Sequence, residues 1–136
     1  MPSINPYLNF AGNAEEALNF YKDALGGEIE MLGRYGDSPM PTDEDWKNKL
    51  MHSRLVFDGN TLMISDAFKG TVAKKEGNVQ LNINVETLDQ INKVFAKMAE
   101  GGKITMELQD TFWGARFGML KDKFGVDWMF NHELKK

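Results

Sequence analysis

Few side chains in this sequence are suited to covalent or metal chemistry. The 136 residues include no cysteine and only two histidines, His52 and His132. Thiol nucleophiles, disulfides, cysteine-type zinc sites and iron–sulfur clusters are therefore excluded, as is any metal site that needs several histidines. Because imidazole titrates near neutral pH, His52 could serve as a general base, although a strand histidine is more commonly a hydrogen-bonded structural residue. We expect His132, near the C-terminus, to be exposed to solvent.

The other candidate groups are amides and arginines that alternate with apolar residues. Such alternation is typical of strands that bury one face against helices. In the segments 4–10 and 79–85 the polar positions are Asn5, Tyr7, Asn9, Gln80, Asn82 and Asn84. The segments 51–57 and 115–120 add His52, Arg54 and Arg116 to this predicted polar face. Their helix-facing residues are then Ser53, Leu55, Phe57, Ala115, Phe117 and Met119.

Two interpretations of the polar face remain open. It could simply be solvated, as in many antiparallel sheets. Alternatively, the sheet could curl into a cup that holds a polar or anionic small molecule, since the planar guanidinium groups of Arg54 and Arg116 suit carboxylate or phosphate.

The elements that would position these residues occur twice. A shift of 75 residues superimposes 4–31 on 79–106 without a gap, and both Gly-Gly pairs, Gly26-Gly27 and Gly101-Gly102, fall in register. Each copy has the pattern of a strand, an amphipathic helix, two glycines and another strand. The sequence therefore predicts an internal duplication.

Local signals extend each copy to β-α-β-β-β. Asn13 with Glu16, and Thr87 with Gln90, predict capping boxes at the two helix N-termini, and the glycine pairs predict the ends of the helices. The expected apolar stripes are Ala14, Ala17, Leu18 and Tyr21 in the first helix and Leu88, Ile91, Phe95 and Met98 in the second. Asp58-Gly59 predicts one tight hairpin, and residues 122–125 predict another.

These elements divide a single predicted domain, 1–136, into module one (1–66), a polar connector (67–76) and module two (77–136). The stretch 36–48, with its prolines and acidic run, could be a lid or an ordinary solvated insertion. The net charge of −4 argues against nucleic acid as a partner. No signal peptide and no apolar run of about 20 residues is present, so we expect a cytoplasmic protein that does not bind a membrane.

Two motifs resemble the vicinal oxygen chelate superfamily, which includes glyoxalase I, bleomycin-resistance proteins and extradiol dioxygenases, and most closely its PhnB-like branch. The first motif comprises Phe10, Gly12, Ala14, Glu15, Glu16, Ala17, Phe20 and Tyr21. The second comprises Trp113, Gly114, Arg116, Gly118, Asp122, Phe124, Gly125 and Trp128, with Lys123 where the branch usually has proline. The resemblance implies an α+β fold in which the two modules form an eight-stranded, cup-shaped open sheet with the helices outside. It also implies a homodimer with a ligand in the cup.

Catalytic members of this superfamily chelate a divalent metal with four residues. The resemblance places those positions at Asn5, Met63, Gln80 and Met129, which are amides and thioethers. We therefore expect no tightly bound Mn, Fe, Ni or Zn and no other cofactor, because two thioethers suit only soft metals. The methionines would instead give the cup soft apolar walls. Trp113 could stack on a ligand at the rim or pack at the module junction.

The leading hypothesis is a small-molecule-binding protein without a tight metal site. The alternative is a glyoxalase- or dioxygenase-like enzyme, a lyase or isomerase acting on a small polar substrate through a weakened divalent-metal site or through His52 with the two arginines. A protein-interaction module is the third hypothesis. The methyltransferase activity sometimes assigned to PhnB-like proteins is not expected, because no glycine-rich strand-to-helix turn is present.

Overall fold

The computed structural model describes residues 5–39, 41–70 and 79–134. The chain divides into two compact units, Met1–Ala73 and Lys74–Lys136, which contain module one and module two. Residues 71–76 of the predicted connector and residue 40 of the predicted loop lie outside the described residues. Within the described ranges, no helix is both long and apolar enough to cross a bilayer.

Both modules have the predicted β-α-β-β-β order. Module one contains β1 (Tyr7–Phe10), α1 (Ala14–Leu25), β2 (Glu28–Arg34), β3 (Leu50–Phe57) and β4 (Asn60–Asp66). Module two contains β5 (Leu81–Asn84), α2 (Leu88–Ala99), β6 (Lys103–Asp110), β7 (Ala115–Lys121) and β8 (Asp127–Glu133). The sheet orders are β1-β4-β3-β2 and β5-β8-β7-β6, and in each sheet only the first pair is parallel. The α+β class and the duplicated fold are confirmed, whereas a single cup formed by both sheets stays a prediction.

One face of each sheet is covered by the module's own helix. The buried residues of α1 are Ala14, Ala17, Leu18 and Tyr21, as predicted. Those of α2 are Ile91, Phe95 and Met98, whereas Leu88 is exposed because it begins the helix at its edge. The sheet residues buried on the helix side include Leu55, Ile64, Leu120 and Phe130. We call the opposite side of each sheet its far face.

The second glycine of each Gly-Gly pair lets β2 or β6 begin directly against the neighbouring hairpin. A Cβ on Gly27 would overlap the Val56 carbonyl oxygen, and a Cβ on Gly102 would overlap that of Lys121. The two modules therefore use the same close backbone approach at the same place, which explains why both glycine pairs kept their register.

The two predicted hairpins are present. Asp58 and Gly59 both adopt positive φ, 47° and 78°, as a two-residue hairpin turn requires. The turn after β7 is built on the buried carboxylate of Asp122, which accepts hydrogen bonds from the Phe124 and Val126 N–H groups at 2.8 and 3.0 Å. Its other oxygen accepts from Trp128 Nε1 at 2.8 Å, so much of the C-terminal motif stabilises this turn.

The N-terminus of α1 is capped differently from the prediction. The side chain of Asn13 makes no capping hydrogen bond, so a capping box there is wrong. Asp66, at the end of β4, accepts instead from the Gly12 and Ala14 N–H groups at 2.7 and 2.9 Å, and its second oxygen accepts from Leu50 N at 3.1 Å. A buried carboxylate satisfies these donors while it also holds strand β3, which a local asparagine could not do.

In α2 the predicted N-cap Thr87 is confirmed, whereas the Gln90 side chain contacts the residue before the cap rather than Thr87 itself. Thr87 accepts from the Gln90 N–H at 3.0 Å, while the Gln90 side chain accepts from the Glu86 N–H at 3.1 Å. The two helices therefore begin by different means, one tertiary and one local.

A bidentate ion pair joins α1 to the end of β2. The two terminal nitrogens of the Arg34 guanidinium, Nη1 and Nη2, donate to the two Glu15 carboxylate oxygens at 2.8 Å, and Nη1 also donates to the Asn48 carbonyl at 2.6 Å. The hydrogen bond from Arg34 holds the pKa of Glu15 below its ordinary value of 4.5. The first motif thus serves helix docking, because its glutamate ties α1 to the end of β2, where Arg34 also contacts Asn48 of the stretch 36–48.

The two ends of the stretch 36–48 are joined to each other, and the stretch is tied to the start of the connector. Gly36 N donates to the Lys47 carbonyl at 2.9 Å, and Trp46 Nε1 donates to the Ala67 carbonyl at 3.3 Å. Lys69 pairs with Asp43 and Asp45 at 3.2 and 2.8 Å. These contacts favour an anchored insertion, and a role as a lid stays a prediction.

We predict that Asp66→Asn lowers the free energy of unfolding by about 2–4 kcal/mol, because an amide offers one oxygen to three N–H donors and turns its NH2 group toward one of them. Urea unfolding measures the change. The matched control is Asp58→Asn in the exposed hairpin turn, where asparagine tolerates positive φ. Equal stability of the two variants would show that the Asp66 cap contributes nothing.

We predict that Glu15→Gln lowers stability near neutral pH by about 0.5–1 kcal/mol, since the pair is half-exposed and screened by solvent. Because the pKa of Glu15 is lowered in the folded state, this contribution is present above the ordinary value of 4.5 and is lost as pH falls through the folded pKa. Urea unfolding from about pH 7 to about pH 3 tests this. A stability difference between Glu15→Gln and the wild type that is the same at about pH 7 and at about pH 3 would contradict the prediction.

Candidate functional site

A row of side chains crosses the whole far face of module one. Register pairs Tyr7 with Met63, Met63 with Arg54, and Arg54 with Met31, one residue from each strand. Cross-strand partners point to the same side of a sheet, and their neighbours Leu55, Leu62 and Ile64 are buried on the helix side. Three predicted site residues, Tyr7, Arg54 and Met63, therefore lie side by side.

Tyr7 and His52 form a polar pair beside this row. The Tyr7 hydroxyl lies 3.3 Å from His52 Nδ1, and the two rings are 5.8 Å apart. Tyr7 is 44% exposed and His52 is half-buried. The Tyr7 hydroxyl and one edge of the His52 ring can therefore contact a ligand on the face that carries Arg54.

Arg54 lies at the centre of the row, and only part of its guanidinium group has polar partners among the described residues. Its Nη2 atom lies 3.2 Å from a Glu30 carboxylate oxygen and 3.8 Å from Met31 Sδ. Glu30 is the extra residue of a bulge between Ile29 and Met31, which brings its carboxylate to the arginine. Arg54 Nε is buried and has no hydrogen-bond partner among the residues that the structure describes.

The amides predicted in module one lie at its first strand. Asn9 is exposed, and its Oδ1 accepts from the buried Ser65 hydroxyl at 3.1 Å. Asn5 is exposed and precedes β1. In this register the strand neighbour of Met63 is Tyr7 rather than Asn5.

Module two carries an equivalent row with different chemistry. Asn82 pairs with Met129, Met129 with Met119, and Met119 with Met106. The position of Arg54 in module one is thus occupied by Met119. Gln80 is exposed and precedes β5, so Asn82 is the strand neighbour of Met129.

A small amide network flanks this second row. Asn84 Oδ1 accepts from Asn82 Nδ2 and from Asn131 Nδ2, both at 3.2 Å. The predicted amides of β5 therefore share one face of the sheet, where they bond to one another.

The predicted orientation of β7 is wrong, because the residues expected on its far face lie on the helix side and the reverse. Arg116 lies on the helix side, where its Nε donates to Asn92 of α2 at 3.3 Å and its Nη1 contacts Asp110 at 3.2 Å. Gly118, two residues on, leaves room for the Phe95 ring. Phe117 and Met119 consequently face away from α2. Because β7 has apolar residues on both faces, the alternation of apolar and polar residues could not show which face packs against the helix.

Trp113 lies in the turn between β6 and β7 and is 58% exposed. Its ring contacts Phe112 and Phe117 at centroid distances of 5.0 and 5.9 Å. His132, expected to be solvent-exposed, is half-buried instead. Its Nδ1 lies 3.0 Å from the Val85 carbonyl, because β8 extends through Glu133.

The donor sets do not fit the divalent metal that catalytic members hold. Met63 lies beside a phenol and Met129 beside an amide, and neither row contains a carboxylate or an imidazole ligand. Within the described part of the chain, no group of three or more His, Asp or Glu residues could hold a metal ion. Thioethers and neutral amides do not offset the charge of a hard or borderline divalent ion.

The sequence pattern did not place four residues on the far faces, namely Glu30, Met31, Met106 and Met119, the last of which was predicted to face the helix. The 75-residue shift that aligns Tyr7 with Asn82 also aligns Met31 with Met106, so the repeat contained the signal for these two. The position of Glu30 follows from the bulge in β2, and that of Met119 from the orientation of β7. The sequence pattern shows neither feature.

Comparisons with known proteins agree with this architecture. Residues 3–130 match the family model of the Glyoxalase/Bleomycin resistance protein/Dioxygenase superfamily. Protein YjdN of Escherichia coli K12 is 32% identical over 94% of this chain and 93% of its own length. The crystal structure of PA1353 from Pseudomonas aeruginosa is 41% identical with a TM-score of 0.90, and the match covers 99% of this chain and 100% of that one.

A third relative is a PhnB protein from Bacillus cereus whose name proposes a 3-demethylubiquinone-9 3-methyltransferase activity. It is 31% identical with a TM-score of 0.82, and the match covers 96% of this chain and 99% of that one. The chain therefore belongs to the glyoxalase/bleomycin resistance protein/dioxygenase superfamily and has PhnB-like relatives, as its two motifs predicted.

Proposed function

We propose that the protein binds a small polar or anionic molecule at the far face of module one, around Arg54, without a tightly bound divalent metal. The observation that carries this proposal is the Arg54 Nε, which is buried and has no hydrogen-bond partner within residues 5–39, 41–70 and 79–134. A buried donor left unpaired costs about 1–3 kcal/mol. An oxygen of a bound anion would remove that cost after a small movement of the side chain.

The surroundings of Arg54 suit exchange of one anion for another. Its pair with Glu30 spans 3.2 Å, and the two side chains are 40% and 52% exposed. Such exposed pairs contribute little to stability because solvent screens them. A carboxylate or phosphate that binds the guanidinium through two oxygens can therefore compete with Glu30.

Tyr7 and His52 can complete the polar contacts of such a ligand. Both lie on the far face that carries Arg54, and their side chains are within hydrogen-bond distance of each other. Met63 and Met31 flank the arginine in its row, and their flexible thioethers can adapt to the apolar part of a ligand. The expected ligand thus has one anionic group and a small apolar body.

The second candidate function is an enzyme that acts on such a molecule. The contact between Tyr7 and His52 favours it, because a phenol or an imidazole beside Arg54 can transfer a proton to or from a substrate that the arginine holds. Methyl transfer is not part of the proposal, because Gly26-Gly27 and Gly101-Gly102 follow helices rather than open them. A homodimer, a ligand cup formed by both modules and a cytoplasmic location remain predictions from the sequence.

We predict that Arg54→Met weakens binding of anionic hits by about 10- to 100-fold, the equivalent of one charge-assisted hydrogen-bonding group. Methionine is chosen because Met119 occupies the equivalent position in module two. A thermal-shift screen of carboxylates and phosphate monoesters identifies hits, and calorimetry measures their affinities. The matched control is Arg116→Met, on the helix side of β7, which should bind as the wild type does. Unchanged binding by Arg54→Met would refute the proposed site.

We also predict that the purified protein contains far less than one equivalent of Mn, Fe, Ni or Zn, and that added salts of these metals do not raise its melting temperature. Elemental analysis and thermal shift make the measurement, because a ligand specific for the folded state raises stability with its affinity. One tightly held equivalent of any of these metals would contradict the metal-free part of the proposal.

A further inference from the structure

We propose that module two contains a binding site for a soft monovalent metal ion, Cu(I) or its analogue Ag(I), formed by the thioethers of Met106, Met119 and Met129. This site lies in a different module from the proposed anion site and takes a ligand of different chemistry. It therefore does not depend on the proposed function.

The strand register brings the three methionines together. Met119 on β7 is the direct partner of Met129 on β8 and of Met106 on β6, and both pairings are antiparallel. Directly opposed residues of a regular antiparallel ladder, such as Met119 and Met129, have Cβ atoms about 4.5–5.5 Å apart. Met106 is paired with Met119 between two register shifts of the β6–β7 ladder. Three flexible thioethers on adjacent strands can turn toward one ion above Met119.

The three side chains are not required by the core beneath the sheet. The helix side of β7 and β8 is filled by Leu120, Phe130 and the close approach of Gly118 to Phe95. The methionines lie on the other face, and each of them is half-buried. They are thus partly removed from water yet still reachable by a small ion.

The chemistry of the row selects a soft, weakly charged ion. Thioethers bind Cu(I) well and hard divalent ions poorly. The chain contains no cysteine, so no thiolate competes with these sulfurs. Lys121, the next residue of β7 on the same face, is paired with Asp127 at 3.1 Å, which reduces its repulsion of a cation.

Module one supplies an internal comparison. Its equivalent row also has methionines at the β2 and β4 positions, Met31 and Met63, but Arg54 stands between them. A guanidinium at the centre of the row repels a cation and separates the two sulfurs. The same scaffold thus favours an anion in one module and a soft cation in the other.

The test is titration of the full chain with silver nitrate in chloride-free buffer, followed by calorimetry and by NMR of 13C-methyl-labelled methionine. We expect one Ag(I) per chain and shifts confined to three of the nine methionine methyl signals. Met119→Leu should weaken Ag(I) binding by at least about tenfold, or about 1.4 kcal/mol. This change conserves volume and costs less than about 1.5 kcal/mol of stability, which thermal unfolding verifies.

The matched control is the double variant Met31→Leu, Met63→Leu, which should bind Ag(I) as the wild type does. Equal Ag(I) affinity in the wild type and Met119→Leu would overturn the proposal, as would loss of binding in the control. Absence of Ag(I) binding to the wild type would also overturn it and would leave anion binding at Arg54 unaffected.

Discussion

The carboxylate of Asp66 is the interaction on which module one depends. It is buried at the end of β4 and accepts hydrogen bonds from Gly12, Ala14 and Leu50. One side chain thus joins the last strand of the module to the first turn of α1 and to the start of β3. Since β3 and β4 carry Arg54 and Met63, the position of the candidate site follows from this contact.

The two modules share their framework and differ in their far faces. Both have the same strand order, and both pack the second glycine of a Gly-Gly pair against a hairpin backbone. Their equivalent rows nevertheless place Arg54 and Met119 at the same position. A duplicated scaffold can change its ligand chemistry in this way, because a far-face side chain is not fixed by the core packing on the other side.

The motifs that identify the superfamily are largely structural in this protein. Gly12 and Ala14 lie at the helix N-terminus that Asp66 caps, and Glu15 forms the ion pair with Arg34. Asp122 holds the turn between β7 and β8 and accepts a hydrogen bond from Trp128 of β8. Such residues identify the fold but say little about the reaction or the ligand, because function depends on side chains that differ between proteins of the same fold.

The sequence by itself determined the duplication, the element order and most of the far face of module one. Alternation placed Tyr7, His52 and Arg54 together because the opposite positions of those strands are clearly apolar or small. Tertiary structure decided the phase of β7, where Phe117 and Met119 lie on the far face and Arg116 on the helix side. Both faces of that strand carry apolar residues, so only the packing of Gly118 against Phe95 could distinguish them. It also decided that Asp66, rather than Asn13, caps α1, since a contact across 52 residues has no local signature.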